Sequence, residues 1–211
     1  MGSIFDTMVS VKQARAVGWS EIAGAETALI QRCASGDDAA FAELVAEHQR
    51  MVFQLALNLL GDRDEALDLS QEVFLRVFRT IGRFRAQSTL KTWIYRIAVN
   101  QARNRHRFWR RRRRADQVSL DLHVATHGEF VSAADSRPDR VFAQKELANR
   151  LEHAMDGLPF DQRTAIVLRE VDGLSYDEIA YSLGVAVGTV KSRLTRARQT
   201  LRVQLREAGA R

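Results

Sequence analysis

Apolar residues along the chain return at intervals of three and four, and this period marks out helices from Glu26 onward. ETALIQRCASG places Ala28, Leu29, Ile30 and Cys33 before a stop near Gly36. The longest run follows in DDAAFAELVAEHQRMVFQLALNLLG, where Phe41, Leu44, Val45, His48, Val52, Leu55 and Leu59 form one face. Asp37 or Asp38 suits its N-cap, and Gly61 suits its C-terminal turn. A third helix, over roughly residues 63–81, carries Ala66, Leu69, Val73, Val77 and Ile81, with Phe74 and Phe78 beside them. An irregular stretch at 82–89 leads into a fourth helix, whose apolar stripe is Ile94, Ile97, Ala98 and Ala102. Short connections between these four helices predict a compact helical domain over residues 26–113.

The period then fails. Residues 114–138 mix Ser, Asp, Ala and His without a repeat, which predicts a flexible linker. His123 and His127 lie four apart in it, but no further His or Cys accompanies them, so a metal site is not expected. Helical order returns after Pro138: Val141, Phe142, Leu147, Leu151 and Met155 share one side. DQRTAIVLREVDG makes the next helix, closed by Gly173, and two more follow, giving a second unit over 139–207. Residues 1–25 are expected to be a poorly ordered N-terminal extension. The predicted fold is all-α: two small helical domains joined by a flexible linker.

Composition narrows the partners. The 211 residues carry a formal charge of +6 with a pI near 10.1, which favours phosphate backbones or anionic lipid surfaces. A single cysteine, Cys33, rules out an internal disulfide, reads as a buried small hydrophobe, and fits a reducing, cytoplasmic setting. No apolar run approaches the roughly 18–20 residues of a membrane span, and the N-terminus lacks the cationic start and apolar block of a signal peptide. Without a Ser/His/Asp grouping, a metal-ligand cluster or a phosphate-cradling glycine loop, neither enzyme activity nor a cofactor is expected.

Three surfaces remain as candidates. Ser175 and Glu178 form an S-x-x-E capping box, Ala180 is small where a helix would cross, Gly184 permits a tight turn, and Val185 fills the angle. This is the logic of a helix-turn-helix. The second helix turns Val190, Leu194, Ala197, Leu201 and Leu205 inward and Lys191, Ser192, Thr195, Arg196, Arg198, Gln199 and Arg202 outward. Lys191, Ser192, Thr195 and Arg196 are candidates for base edges in the major groove, and Arg193 and Arg198 for phosphates. The alternative is an ordinary helical hairpin with a solvated basic face. On the fourth helix, Arg96, Asn100, Arg103 and Arg107 lie opposite the apolar stripe with Trp93 on its shoulder, a pattern suited to single-stranded or distorted nucleic acid. Arg85, Gln87, Ser88, Thr89 and Lys91 add short donors just upstream, whereas Tyr95 reads equally well as core. The third helix bears an acidic row, Asp64, Asp68 and Glu72, next to Gln71 and Arg76. It suits a basic protein partner or, alternatively, a solvated face with a Glu72–Arg76 pair.

At this length the motifs resemble a family. DRDEALDLSQEVFLRVFRTIGRFRAQSTLKTWIYRIAVNQARN is similar to region 2, and LPFDQRTAIVLREVDGLSYDEIAYSLGVAVGTVKSRLTRARQTLR to region 4, of the bacterial extracytoplasmic-function (ECF) sigma factors of the sigma-70 family. The resemblance implies a dissociable initiation subunit that binds core RNA polymerase, recognises the −10 and −35 promoter elements, and stabilises melted DNA. It implies docking on the clamp helices of the largest polymerase subunit through Asp64, Asp68, Leu69, Gln71, Glu72, Phe74 and Arg76, and on the flap of the second-largest subunit. It assigns the −10 element to Phe84, Arg85, Gln87, Ser88, Thr89, Lys91, Trp93, Arg96, Asn100, Arg103 and Arg107. The −35 element falls to Ser175, Thr189, Lys191, Ser192, Arg193, Thr195, Arg196 and Arg198. A cognate anti-sigma factor is a common partner in the family. Residues 110–114, five consecutive arginines, are denser in charge than the family pattern; they read either as phosphate contacts or as a solvated start to the linker.

Overall fold

The structure, a computed structural model, describes residues 19–115 and 138–209, with side chains over 24–112 and 146–206. The expected linker with its two histidines, and the side chains of Val141 and Phe142, lie outside the described residues. All regular structure among the described residues is helical: α1 (Trp19–Ala34), α2 (Asp38–Leu60), α3 (Arg63–Thr80), α4 (Leu90–Ala115), α5 (Pro138–Asp156), α6 (Phe160–Ile166), α7 (Tyr176–Leu183) and α8 (Val187–Gly209).

Helices α1–α4 form the first bundle. Asp37 caps α2 by accepting from the Ala40 N–H, and Gly61 closes it in a left-handed conformation (φ 73°) that only glycine adopts without strain. Asp62 caps α3 in the same manner through the Glu65 N–H; each such cap is worth about 1 kcal/mol. Leu44, His48, Val52, Leu55 and Leu59 of α2 are buried, as the period predicts, against Leu69, Val73 and Val77 of α3 and Ile94, Ala98 and Ala102 of α4. Phe78 departs from the expected packing: it is half exposed and meets Phe41 edge-on at 5.0 Å.

Two boundaries differ from the sequence reading. Helix α1 begins at Trp19, inside the expected extension, and its Glu26 carboxylate accepts from the Leu90 N–H (3.1 Å), which ties α1 to the start of α4. Helix α4 does not yield at residue 113 but runs on to Ala115 and takes in the whole arginine run. Arginine is a strong helix former, and cations near a helix C-terminus complement its dipole.

The second unit is α5–α8. The Ser175–Glu178 capping box is complete in both directions, and Gly184 (φ 65°) makes the turn between α7 and α8. Val190, Leu194, Ala197 and Leu201 are buried. The helix expected to continue to Gly173 is α only to Ile166 and then opens into a π-helical turn, Val167–Val171. On α5 only part of the expected apolar side docks: Met155 packs on the core, Leu147 and Leu151 are exposed, and Ala154 with Leu158 just beyond are buried.

The two units pack against each other, with α4 lying on α7 and α6, and α2 on α6 and the π turn. Tyr95 is 1% exposed, and its hydroxyl donates to Asp172. Thr92 donates to Glu178 (3.3 Å), Ser182 donates to the Thr92 carbonyl (3.5 Å), and His106 stacks on Phe160 at 4.7 Å. Burial raises the Asp172 carboxyl above its ordinary range, offset only in part by the Tyr95 hydroxyl and Lys91; one of its oxygens is buried without a hydrogen-bond partner. A raised folded value means that this contact is fully stable below the ordinary carboxylate range and loses stability as pH rises through the folded value. Asp172→Asn should therefore favour the packed arrangement at neutral pH and remove its pH dependence, read as a smaller radius of gyration by small-angle X-ray scattering. An unchanged or larger radius would refute the assignment of that dependence to Asp172.

Candidate nucleic-acid interface

Three surfaces inherit the candidate residues. On α3, Asp64, Asp68, Gln71, Glu72 and Arg76 are exposed on one side. Leu69 and Phe74 are not available to a partner: both are buried in the bundle, because the period that makes α3 amphipathic turns them inward with Val73 and Val77. Exposed Leu67, Leu75 and Phe78 accompany the acids instead, so this face is acidic and apolar together. The Glu72–Arg76 pair of the alternative reading gives way to a longer-range one. Arg105 of α4, 16% exposed, donates to the Glu65 carbonyl (3.0 Å), the Glu65 carboxylate (2.7 Å) and Glu72. One guanidinium thereby fixes two carboxylates of the acidic face from behind.

The second surface is the loop before α4 and the helix itself. Arg85, Gln87 and Thr89 are exposed, and Ala86 between them adopts a left-handed conformation (φ 52°), uncommon for a residue other than glycine. Thr89 serves first as a cap: its hydroxyl accepts from the Thr92 N–H (3.2 Å) and bonds the Thr92 hydroxyl (2.8 Å). The Ser88 hydroxyl is engaged with the Thr89 carbonyl (3.2 Å). Phe84 and Trp93 are half-buried, their rings edge-on at 5.4 Å, so the shoulder of α4 is an aromatic pair. Lys91 is exposed and sits 6.0 Å from the Tyr95 ring.

The single cationic row read from the sequence divides in two. Arg96 lies over the Tyr181 ring (4.9 Å), and Arg103, 20% exposed, pairs with Asp161 (3.4 Å); both face the second unit. Asn100 and Arg107 stay exposed on the open side.

On the third surface, Lys191, Ser192, Thr195, Arg196 and Arg198 are exposed along the outer face of α8, while Thr189 is half-buried at its start. Ser175 is spent on the capping box. Arg193, expected on phosphates, turns the other way: it donates to Asp161 at 2.7 Å and is 20% exposed. Its neighbour Leu194 is buried, and that register carries Arg193 toward α6 rather than outward. Arg198 pairs with Glu170 (2.6 Å), but both are about half exposed, so the pair is weak and leaves Arg198 able to change partner. Sequence reasoning missed Arg105, Asp161 and Tyr181, whose partners lie 32 to 85 residues away and leave no local signal.

Comparison with known proteins agrees with this layout. The family models described as "Sigma-70 region 2" and "Sigma-70, region 4" match residues 44–115 and 148–201. The chain is 38% identical over 174 residues to the RNA polymerase sigma-H factor of Pseudomonas aeruginosa, covering 82% of this chain and 90% of that protein. It is also 38% identical over 175 residues to the ECF RNA polymerase sigma-E factor of Escherichia coli, with the same coverage. Among solved structures, the sigma factor RpoE in complex with the anti-sigma factor NepR from Bartonella quintana matches with a TM-score of 0.62. That match is 27% identical and covers 79% of this chain and 96% of that one. Two helical units, an acidic face on the first and a helix-turn-helix in the second, together with this similarity along most of its length, make the chain a member of the ECF sigma factors of the sigma-70 family.

Proposed function

We propose that the protein docks on core RNA polymerase through the acidic and apolar face of α3 and addresses a promoter at two points. The loop before α4 and the outer side of α4 meet the −10 element; the outer face of α8 meets the −35 element. The observation that carries this reading is the division of labour: an acidic surface on α3 and cationic surfaces on α4 and α8, in two units that share one chain. An acidic row repels DNA and suits a basic protein, while guanidinium and amide groups on the other helices suit phosphates and bases. The chain itself catalyses nothing in this scheme. It lowers the cost of opening DNA by holding unstacked bases against Phe84 and Trp93. Among the described residues no helix is long and apolar enough to cross a membrane, and the polymerase partnership places the protein in the cytoplasm.

With α7 and α6 against α4, Arg103 is held by Asp161, whereas Arg96 stays exposed over Tyr181, so promoter contact through Arg103 requires the two units to part. An anti-sigma protein is a fitting regulator of that step; the similar sigma factor RpoE is seen in complex with the anti-sigma factor NepR. The decisive experiment is run-off transcription with purified core polymerase on a genomic promoter library. Promoter-specific initiation is expected; DNA binding by the isolated chain without initiation would favour a conventional duplex-binding regulator instead. Within that assay Arg196→Ala should weaken promoters with an intact −35 element about tenfold, with little effect on polymerase binding. An equal loss on templates lacking the −35 element would show that Arg196 acts elsewhere.

A further inference from the structure

Arg105 fixes how α3 and α4 lie together. Its bonds to Glu65 and Glu72 set the last turns of α4 beside the first turns of α3. From Glu65 and Glu72, the helical period turns Asp64, Asp68 and Leu75 to one side and the buried Ala66, Leu69 and Val73 to the other. From Arg105 it does the same on α4, where Asn104, Phe108 and Arg111 turn away from the buried Val99 and Ala102. Both sets therefore share the outer face of the pair, with an acidic row on α3 alongside a basic one on α4. All six side chains are exposed. Two of them, Leu75 (54% exposed) and Phe108 (52%), are apolar and gain only from being covered. A shallow concavity lined among the described residues by Phe108, Arg111 and Arg112 opens on the basic side.

Opposite charges side by side on one face match a partner that carries them in the reverse order. A basic protein across the whole face leaves Arg111 unpaired, an acidic one repels Asp64 and Asp68, and a nucleic acid sets phosphates against those acids. A second copy of this chain supplies the reverse order by symmetry. A two-fold axis parallel to the helices places α3 of each copy on α4 of the other, whereas an axis across them would place acid on acid. Because α3 and α4 run antiparallel and that axis preserves their levels, Asp64 comes within about a turn of Phe108 and Arg111 of the second copy. We propose that the protein self-associates through this outer face as a two-fold dimer, with Asp64 and Asp68 of each copy against Arg111 of the other and Phe108 as the apolar anchor. The dimer itself needs no assumption about function. Its consequence rests on the sigma-factor reading: the dimer covers the acidic face offered to core polymerase, so holoenzyme forms from the monomer and free chain is held in reserve.

Sedimentation velocity of the full chain over a dilution series, with and without nuclease treatment, reads the dimer directly. Wild type should pass from dimer to monomer on dilution, and at a higher protein concentration when salt is raised. Phe108→Ala should raise the dimer dissociation constant about tenfold. Asp64→Arg and Arg111→Glu should each raise it at least as much, since a two-fold interface meets every substitution twice. An equimolar mixture of those two variants should restore the dimer, because each offers the charge that the other lacks; a misfolded variant would not be rescued in this way. A wild type that stays monomeric, or a dimer that all three variants leave intact, would overturn the proposal. Loss of the larger species on nuclease treatment would assign it to bound nucleic acid and overturn it as well. Core polymerase added to the wild-type dimer should dissolve it into holoenzyme, and a dimer that persists on bound polymerase would remove the competition. A wild type that dimerises but neither binds core polymerase nor initiates would instead overturn the sigma-factor reading and leave the dimer standing.

Discussion

Reversing charge at Asp64 and Asp68 to arginine should abolish assembly with core RNA polymerase, lowering affinity on the order of a hundredfold or more. Both side chains are exposed on α3 and neither pairs with Arg105, so the substitutions break none of the ion pairs between α3 and α4. Reversal at Glu72 is a poorer experiment. It would set a second guanidinium against Arg105, which already bridges Glu65 and Glu72, and would disturb the α3–α4 contact together with the docking face. The loss at Asp64 and Asp68 comes from like charges brought together at the interface, which cost several kcal/mol where opposite charges had steered the encounter. Competition with a labelled wild-type chain for core polymerase measures it, and circular dichroism should show an unchanged helical signal. Retained assembly would remove α3 from the docking surface.

Leu194→Ala should have the largest effect on the second unit. Leu194 is 1% exposed at the centre of α8, and truncating a buried leucine costs about 3 kcal/mol through lost transfer and a residual cavity. A unit of this size has little stability to spare. The expected outcome is a low-temperature melting step confined to α5–α8, loss of −35-dependent initiation, and polymerase affinity through α3 within a few-fold of wild type. A single unshifted transition would contradict the packing described for α8. Loss of polymerase binding to the same degree would show that the two units do not hold their partners separately.

Much of this could be read from the sequence because the signals are local. Periodicity told which face of α2, α4 and α8 turns inward; Asp37, Gly61, Ser175, Glu178 and Gly184 marked where helices begin and end. What periodicity cannot tell is which element meets which face. Arg193 follows the exposed Ser192 and precedes the buried Leu194, so its direction depends on whether an acid waits on a neighbouring helix, and Asp161 does. The pairing of Arg105 with Glu65 and Glu72, the burial of Tyr95 against Asp172 and the placement of Arg96 over the Tyr181 ring are likewise matters of which helices cross. The arginine run was opaque for another reason: it read either as phosphate contacts or as a solvated start to the linker, and the intrinsic helix preference of arginine, continuing an established helix, carries α4 through it.

The hydrogen bond from the Leu90 N–H to Glu26 has a practical side. It joins residues 64 positions apart, so the first orphan donor of α4 is satisfied by a carboxylate on α1. Any fragment trimmed to the match with region 2, which starts at residue 44, discards that carboxylate together with Leu29 and Cys33 of the core. Such a fragment would expose apolar surface on α2 and leave α4 frayed at its start. Expression boundaries for the isolated first unit therefore belong upstream of Trp19, not at the edge of sequence similarity.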